Sequence, residues 1–157
     1  MKIEDIIKTA SPMAMSKKTV LNVMYTQNMI SEKFNLILKC HDLSPEQFNV
    51  LRILKGQNGN STNMCVIQER MIARTSNTTR LVDKLLLKGL VTREICPDNR
   101  RKMEIAITQK GLDLLSEINP VVDGFENALA QNLTAAELEQ LNTLLEKFRT
   151  FKTIEHE

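Results

Sequence analysis

Residues 76–94 read SNTTRLVDKLLLKGLVTRE, and residues 97–111 read PDNRRKMEIAITQKG. The first stretch reads as a helix with an unusual start. A helix N-terminus carries partial positive charge and unpaired N–H groups, so Asp or Glu is the usual first-turn choice. Here short hydrogen-bonding side chains fill the interval between Arg74 and Arg80, with no acid among them. Such an end suits a helix that meets another negative group, and phosphate is the first candidate. Thr75 or Ser76 is the natural N-cap, and Gly89 followed by Leu90 fits a left-handed C-terminal cap with Leu90 folding back.

At about 100° per residue, Leu81, Leu85 and Val82 fall together as one inward face. Ser76, Arg80, Lys84 and Asn77 fall within about 100° of one another, a contiguous polar face. Arg pairs with the guanine edge, Asn with adenine, and Ser or Thr with several partners. The bland alternative is an ordinary solvated face. Asp83 and Leu87 lie near it and neither suits phosphate; Asp83 fits a pairing with Arg80 or with a wing arginine.

Downstream, VTREIC (91–96) and MEIAIT (103–108) alternate and are rich in β-branched residues, which predicts two strands. PDNRRK between them reads as a turn that cannot bury Arg100, Arg101 and Lys102. Basic hairpin tips often serve only solubility, but Arg in a narrow minor groove is a known reading mode. Upstream, SPEQ (44–47) gives Ser44 as N-cap, Pro45 at the first helical position and Gln47 closing a capping box. Phe48, Leu51 and Leu54 form the buried stripe of that helix, and GQNGN (56–60) ends it in a turn. A short helix is expected over 63–71, with Val66, Ile67 and Met71 inward. Three short helices followed by a two-stranded hairpin form the layout of a winged helix-turn-helix, in which the helix before the wing enters the major groove.

The flanks are longer. From Lys17 to about Cys40, Val20, Met24, Ile30, Phe34, Ile37 and Leu38 recur at helical spacing without Gly or Pro. Thr108 can cap a helix through Leu112, Leu115, Ile118, Val122, Phe125 and Leu129, which Pro120 should kink or interrupt. A second capping box, Thr134 to Glu137, opens a helix striped by Leu138, Leu141, Leu144, Leu145 and Phe148. These three helices expose much apolar surface if a small central domain is their only partner, and a homodimer built from both ends buries it. A monomeric bundle is the alternative.

The two opening stretches resemble the signature of the MarR family, the multiple-antibiotic-resistance regulators: serine/threonine, TRLVD, a leucine and KGLV, then an Asp-x-Arg wing and a final (L/I)T-x-x-G. The match is close over about 61–111. The resemblance implies a mainly α fold, with a winged helix-turn-helix DNA-binding domain at 43–108 and a helical dimerisation region from 1–42 and 109–157. It implies a homodimer on palindromic double-stranded DNA and, in many members, a small aromatic or phenolic effector; others sense oxidants through a cysteine. Carried over, Ser76, Asn77, Thr79, Arg80 and Lys84 match groove- or backbone-facing positions of the recognition helix; Thr75 beside them and the basic tip Arg100, Arg101 and Lys102 complete the candidate DNA contacts. Arg101 matches the arginine that reaches the minor groove, with Asn99 where the family has its paired Asp; Asp98 with Arg100 is a pairing shifted by one residue. Leu86 and Leu87 depart from the charged residues common there.

Composition narrows the remaining classes. The chain has 157 residues with net charge +2, distributed as 8 basic against 5 acidic residues in 1–60, 10 against 5 in 61–110 and 3 against 9 in 111–157. A basic middle and an acidic end are a mild nucleic-acid signal. No run approaches the roughly 20 apolar residues of a membrane span, and the first residues lack the apolar core of a secretory signal, so a cytoplasmic location is expected. Three separated cysteines, without a CxxC pair, and two histidines argue against a disulfide framework, a metal site or a cofactor site. No Gly-rich phosphate loop or catalytic set is visible, and an enzyme is not expected. Met24 and Tyr25 are candidates for an effector pocket, or else core and interface residues. Cys40, beside His41, is the candidate redox sensor, or else apolar filler. The competing functional class is a winged-helix protein-interaction module that binds no DNA.

Overall fold

The computed structural model describes residues 1–73, 77–96 and 99–150, without the side chains of 96 and 99–102. Two compact units divide the chain, Met1–Ile118 and Asn119–Glu157. The first opens with a short helix α1 (Ile3–Ile6), absent from the sequence expectation, whose Ile3 is buried. Glu4 meets Lys18 at 2.6 Å, joining α1 to the long helix α2 (Met15–Lys39). At the far end of α2, Leu38 is fully buried and Phe34 stands edge-on to Phe48, with centroids 5.7 Å apart.

Asp42, at φ +52°, reverses the chain into α3 (Pro45–Lys55). The expected capping box is present: the Ser44 hydroxyl accepts from the Gln47 N–H at 3.2 Å, and Gln47 Oε1 accepts from the Ser44 N–H at 3.1 Å. Phe48, Leu51 and Leu54 are buried as the stripe predicts. A two-residue strand β1 (Thr62–Asn63) precedes α4 (Met64–Arg70), on which Ile67 is buried and Val66 half-buried. Next come α5 (Thr78–Leu87), β2 (Val91–Cys96) and β3 (Asn99–Ile107).

The hairpin is therefore part of a three-stranded antiparallel sheet in the order β1-β3-β2. Thr62 pairs with Ile105 and Arg93 also pairs with Ile105, so β3 is central. Two residues give too short a window for alternation to signal a strand, which is why β1 was not expected. The wing also differs from the expected turn at 97–102. Its second strand begins at Asn99, so the backbone of Arg100, Arg101 and Lys102 belongs to β3, and the ladder is irregular between Ile95 and Cys96. Polar composition marked these residues as turn, whereas pairing across the hairpin made them strand.

Phe48, Leu51, Leu54, Ile67, Val82, Leu85, Ile105, Leu115 and Ile118 are each under 2 % exposed or close to it. They form one core contributed by α3, α4, α5, β3 and the first half of α6 (Gln109–Ala130). Pro120 lies inside α6 without interrupting it, contrary to the interruption the sequence allowed. The second unit holds the end of α6 and α7 (Ala135–Arg149), whose Thr134–Glu137 capping box is present. Leu141, Leu144, Leu145 and Phe148 lie exposed along α7.

Candidate nucleic-acid interface

The start of α5 differs from the expected Thr75 or Ser76 cap. Asn77 is the N-cap, its Oδ1 accepting from the Arg80 N–H at 3.1 Å, and the helix runs Thr78–Leu87. Asn is among the strongest capping residues, and three capping types in a row left the boundary open to local reading. Thr75 and Ser76 lie outside the described residues. The first turn holds no acid, as the opening stretch implies.

Asn77, Thr79, Arg80 and Lys84 are all exposed, while Thr78, Val82 and Leu85 are buried. The polar face thus projects away from the core as the helical spacing requires. Thr78 turns inward, and its hydroxyl donates to Gln68 Oε1 on α4, a polar tie between the two helices of the helix-turn-helix. The sequence reading missed Thr78 as a positioning residue, although helical spacing puts it among Leu81, Leu85 and Val82 on the inward face. Beside the turn, the Ile72 N–H donates to Asn49 Oδ1 at 3.1 Å, anchoring the link between α4 and α5 on α3.

The far end of α5 is clamped. Gly89 at φ +68° lets its N–H reach the Leu86 carbonyl at 2.9 Å and the Leu90 N–H reach the Leu85 carbonyl at 3.0 Å. This is a Schellman cap with Leu90 buried beneath it. The Thr108 hydroxyl donates to the Gly89 carbonyl at 2.8 Å and accepts from the Gly111 N–H at 3.1 Å, so one side chain ends α5 and begins α6. Gly111 packs so tightly here that a Cβ would lie 2.4 Å from the Leu90 carbonyl oxygen and 2.7 Å from Ile107 Cγ1.

Of the two partners open to Asp83, the structure selects a wing arginine: Arg93 Nη1 meets Asp83 Oδ1 at 2.7 Å, tying β2 to α5. Asp83 is thereby removed from the reading face as an independent charge. Leu86 is half-buried, whereas Leu87 is 89 % exposed in the last turn of α5. The side chains of Arg100, Arg101 and Lys102, expected to contact DNA, lie outside the described residues. Met24 and Tyr25 stand exposed on α2. Cys40 and Cys65 are exposed rather than apolar filler, and the Cys40 thiol points to the Leu36 carbonyl at 3.6 Å. His41, its sequence neighbour, faces Glu117 on α6 at 3.7 Å.

Among the described residues no group of three or more His, Cys, Asp or Glu is arranged to hold a metal ion, and no helix is long and apolar enough to cross a membrane. Residues 43–103 match the model of the MarR family, a span that runs from α3 into the second strand of the wing. Over 122 residues the chain is 32% identical to the HTH-type transcriptional repressor IacR of Pseudomonas putida, covering 78% of this chain and 69% of the repressor. The chain belongs to the MarR family. Its architecture is shared by MepR of S. aureus in a MepR–DNA complex, at TM-score 0.74 and 21% identity over 83% of this chain and 94% of that one. It is also shared by the organohalide-sensing regulator RdhR in a 2,4-dichlorophenol-bound form, at TM-score 0.78 and 19% identity over 94% and 91% of the two chains. As a MarR protein, the chain is a winged helix-turn-helix, DNA-binding transcription regulator and not an enzyme.

Proposed function

We propose that this MarR protein is a cytoplasmic, ligand-responsive repressor that binds a palindromic operator as a homodimer. On this reading residues 43–108 bind DNA, and the flanking segments 1–42 and 109–157 dimerise. The observation that carries the DNA-reading role is the exposed, acid-free face Asn77–Thr79–Arg80–Lys84 on a helix fixed at both ends. Arg80 and Asn77 carry base discrimination; because Asn77 Oδ1 caps the helix, its Nδ2 is the group left to face a base. Thr75, Ser76, Thr79 and Lys84 contribute backbone contacts. Arg100, Arg101 and Lys102 engage the flanking minor groove and its phosphates.

The homodimer is supported by apolar side chains left exposed on each terminal segment. On α2 these include Val20, Met24 and Tyr25, and on α7 Leu141, Leu144 and Phe148. Contiguous apolar faces of this kind mark association surfaces. Two protomers then present two recognition helices to successive major grooves, which demands a two-fold symmetric site. A ligand regulates by favouring a spacing of those helices that no longer fits.

Fluorescence anisotropy with the DNA upstream of the protein's own gene tests the reading. Binding at low salt should weaken steeply as salt rises, because phosphate contacts release counterions. Arg80→Ala should weaken and relax specific binding, whereas Arg101→Ala should lose affinity mainly at sites with A·T-rich flanks. No binding by the wild type at low salt overturns the regulator, and equal losses on every sequence for both variants overturn the division of labour between helix and wing.

A further inference from the structure

The turn GQNGN (56–60) joins α3 to β1 and lies outside the proposed DNA contacts. Asn58 at φ +53° and Gly59 at φ +88° carry it round through the left-handed region, and both residues are exposed. An asparagine followed by glycine sets a side-chain amide one five-membered ring away from the next main-chain nitrogen. Glycine, lacking a Cβ, leaves the approach of that nitrogen open. A Cβ built at Gly59 would meet nothing within 4 Å, so the space beside it is open as well.

Other asparagines show what restrains such an amide. Asn22 and Asn35 donate from Nδ2 to carbonyls one helical turn back. Asn49, Asn63 and Asn77 accept main-chain N–H bonds through Oδ1. Asn60, in the same turn as Asn58, donates from Nδ2 to the Gln57 carbonyl at 3.0 Å. Among the described residues no hydrogen bond holds the Asn58 side chain, and the Gly59 N–H donates to no acceptor. The N–H groups of Asn58 and Asn60 are held by the Lys55 and Gln57 carbonyls, each at 3.1 Å. The peptide between Asn58 and Gly59 is thus the unbonded link of the turn.

We propose that Asn58 is a site of covalent modification, converted by water through a cyclic imide to aspartate and isoaspartate, and that the isoaspartyl form loosens β1 from the wing. In the first step the Gly59 nitrogen gives its proton to base and bonds to Asn58 Cγ. The Cγ–Nδ2 bond breaks and ammonia leaves. Water then opens the imide at one of its two carbonyls. Opening at Cγ leaves aspartate in a normal main chain. Opening at the main-chain carbonyl carbon routes the chain through the side chain, adding a methylene to its length and freeing the α-carboxylate. One water is consumed and one ammonia released, with no change of oxidation state.

Either product adds a negative charge, but only isoaspartate alters the path of the chain. The turn leads directly into β1, where Thr62 and Asn63 pair with Ile105 and Glu104 of β3 and the Ser61 hydroxyl donates to Glu104 Oε2 at 2.8 Å. A two-residue strand has no further ladder to hold its register when the chain before it lengthens. Central strand β3 then loses one of its two partners, and the same strand continues into the backbone of Arg100, Arg101 and Lys102. Weaker DNA binding follows, a consequence that rests on the wing contacts proposed above.

The test ages the full-length protein in mildly alkaline buffer beside the Asn58→Gln variant, whose longer side chain disfavours the five-membered ring. Trypsin cleavage after Lys55 and Arg70 releases one peptide holding Asn58, Asn60 and Asn63, so fragment masses compare all three in a single digest. Exchange of amide for acid should proceed at least about tenfold faster at Asn58 than at Asn60, whose amide is held and whose next residue carries a side chain. The rate should rise with pH, because the attacking nitrogen must lose its proton, and isoaspartyl methyltransferase should label the product. In aged wild type, but not in aged Asn58→Gln, amide hydrogen exchange at 62–63 and 104–105 should quicken. Affinity for the DNA upstream of the protein's own gene should fall severalfold in the isoaspartyl fraction. Conversion at Asn58 no faster than at Asn60, or no conversion, overturns the site. Unchanged exchange in converted protein overturns the effect on the sheet, and unchanged DNA affinity overturns its reach to the wing. Failure of fresh protein to bind DNA falls instead on the repressor reading, because the peptide and exchange measurements contain no DNA.

Discussion

Replacing Gly111 by alanine should injure the DNA-reading helix from behind, without touching its exposed face. A Cβ at this position would lie 2.4 Å from the Leu90 carbonyl oxygen and 2.7 Å from Ile107 Cγ1. Real Cβ contacts stay beyond 3.0 Å, so the main chain at Leu90 or the start of α6 must yield by at least about 0.6 Å. Neither side moves freely. The Leu90 carbonyl accepts from the Thr108 N–H at 3.1 Å, and Thr108 holds both Gly89 and Gly111. Overpacking of this kind costs about 1–3 kcal/mol, while alanine returns up to about 1 kcal/mol of helix propensity. Because the obstacle is main chain rather than a movable side chain, the cost falls in the upper half of that range, about 2–3 kcal/mol. The net loss is therefore about 1–2 kcal/mol, or about 2–8 °C in Tm for a chain of this length. The same substitution at Gly124, on the same helix with nothing within 4 Å of its Cβ, carries only the propensity gain and should raise Tm slightly. Calorimetry of the two variants beside wild type measures both signs. Operator affinity of Gly111→Ala should also fall severalfold, because Leu90 closes the Schellman cap of α5. A Tm for Gly111→Ala equal to or above wild type refutes the close-approach argument.

Three other outcomes follow from the same geometry. Arg80→Ala should cost about 1–3 kcal/mol of specific DNA binding, with discrimination between cognate and mismatched sites reduced at one base pair; an unchanged specificity ratio in competition anisotropy removes Arg80 from base reading. A double-mutant cycle on Asp83→Asn and Arg93→Gln should give a coupling of under about 1 kcal/mol that shrinks in high salt, since both side chains are partly exposed; a salt-independent coupling would contradict the exposed ion pair. The Thr134 N–H and hydroxyl hold the Glu137 carboxyl below its ordinary pKa. A depressed folded value stabilises fully above the unfolded pKa and loses its effect as pH falls through the folded one. The Tm difference between wild type and Glu137→Gln should therefore narrow between about pH 6 and about pH 3, and a constant difference would show that the carboxylate does not strengthen the cap.

The sequence alone determined the local parts of this protein. The Ser44–Gln47 and Thr134–Glu137 boxes, the Gly89 cap, the inward stripe of α5 and its acid-free start all depend on residues within about one helical turn, so spacing suffices to read them. Even where the reading slipped by a residue or two, as at the Asn77 cap, the competing interactions were local ones. The MarR signature was legible for the same reason, because most of its pattern lies on α5, the Gly89 turn and the wing. Tertiary structure decided whatever depends on distant segments meeting. Strand β1 exists because β3, far downstream in the chain, offers it a partner at Glu104 and Ile105, and Asp83 turned to Arg93 because β2 folds back along α5. Gly111 is required because the Leu90 carbonyl, upstream beyond the whole wing, packs against it. Hydrogen-bond spacing along one helix is fixed by covalent geometry, but a contact between elements is fixed only once the core around Phe48, Leu85 and Ile105 has set their distance.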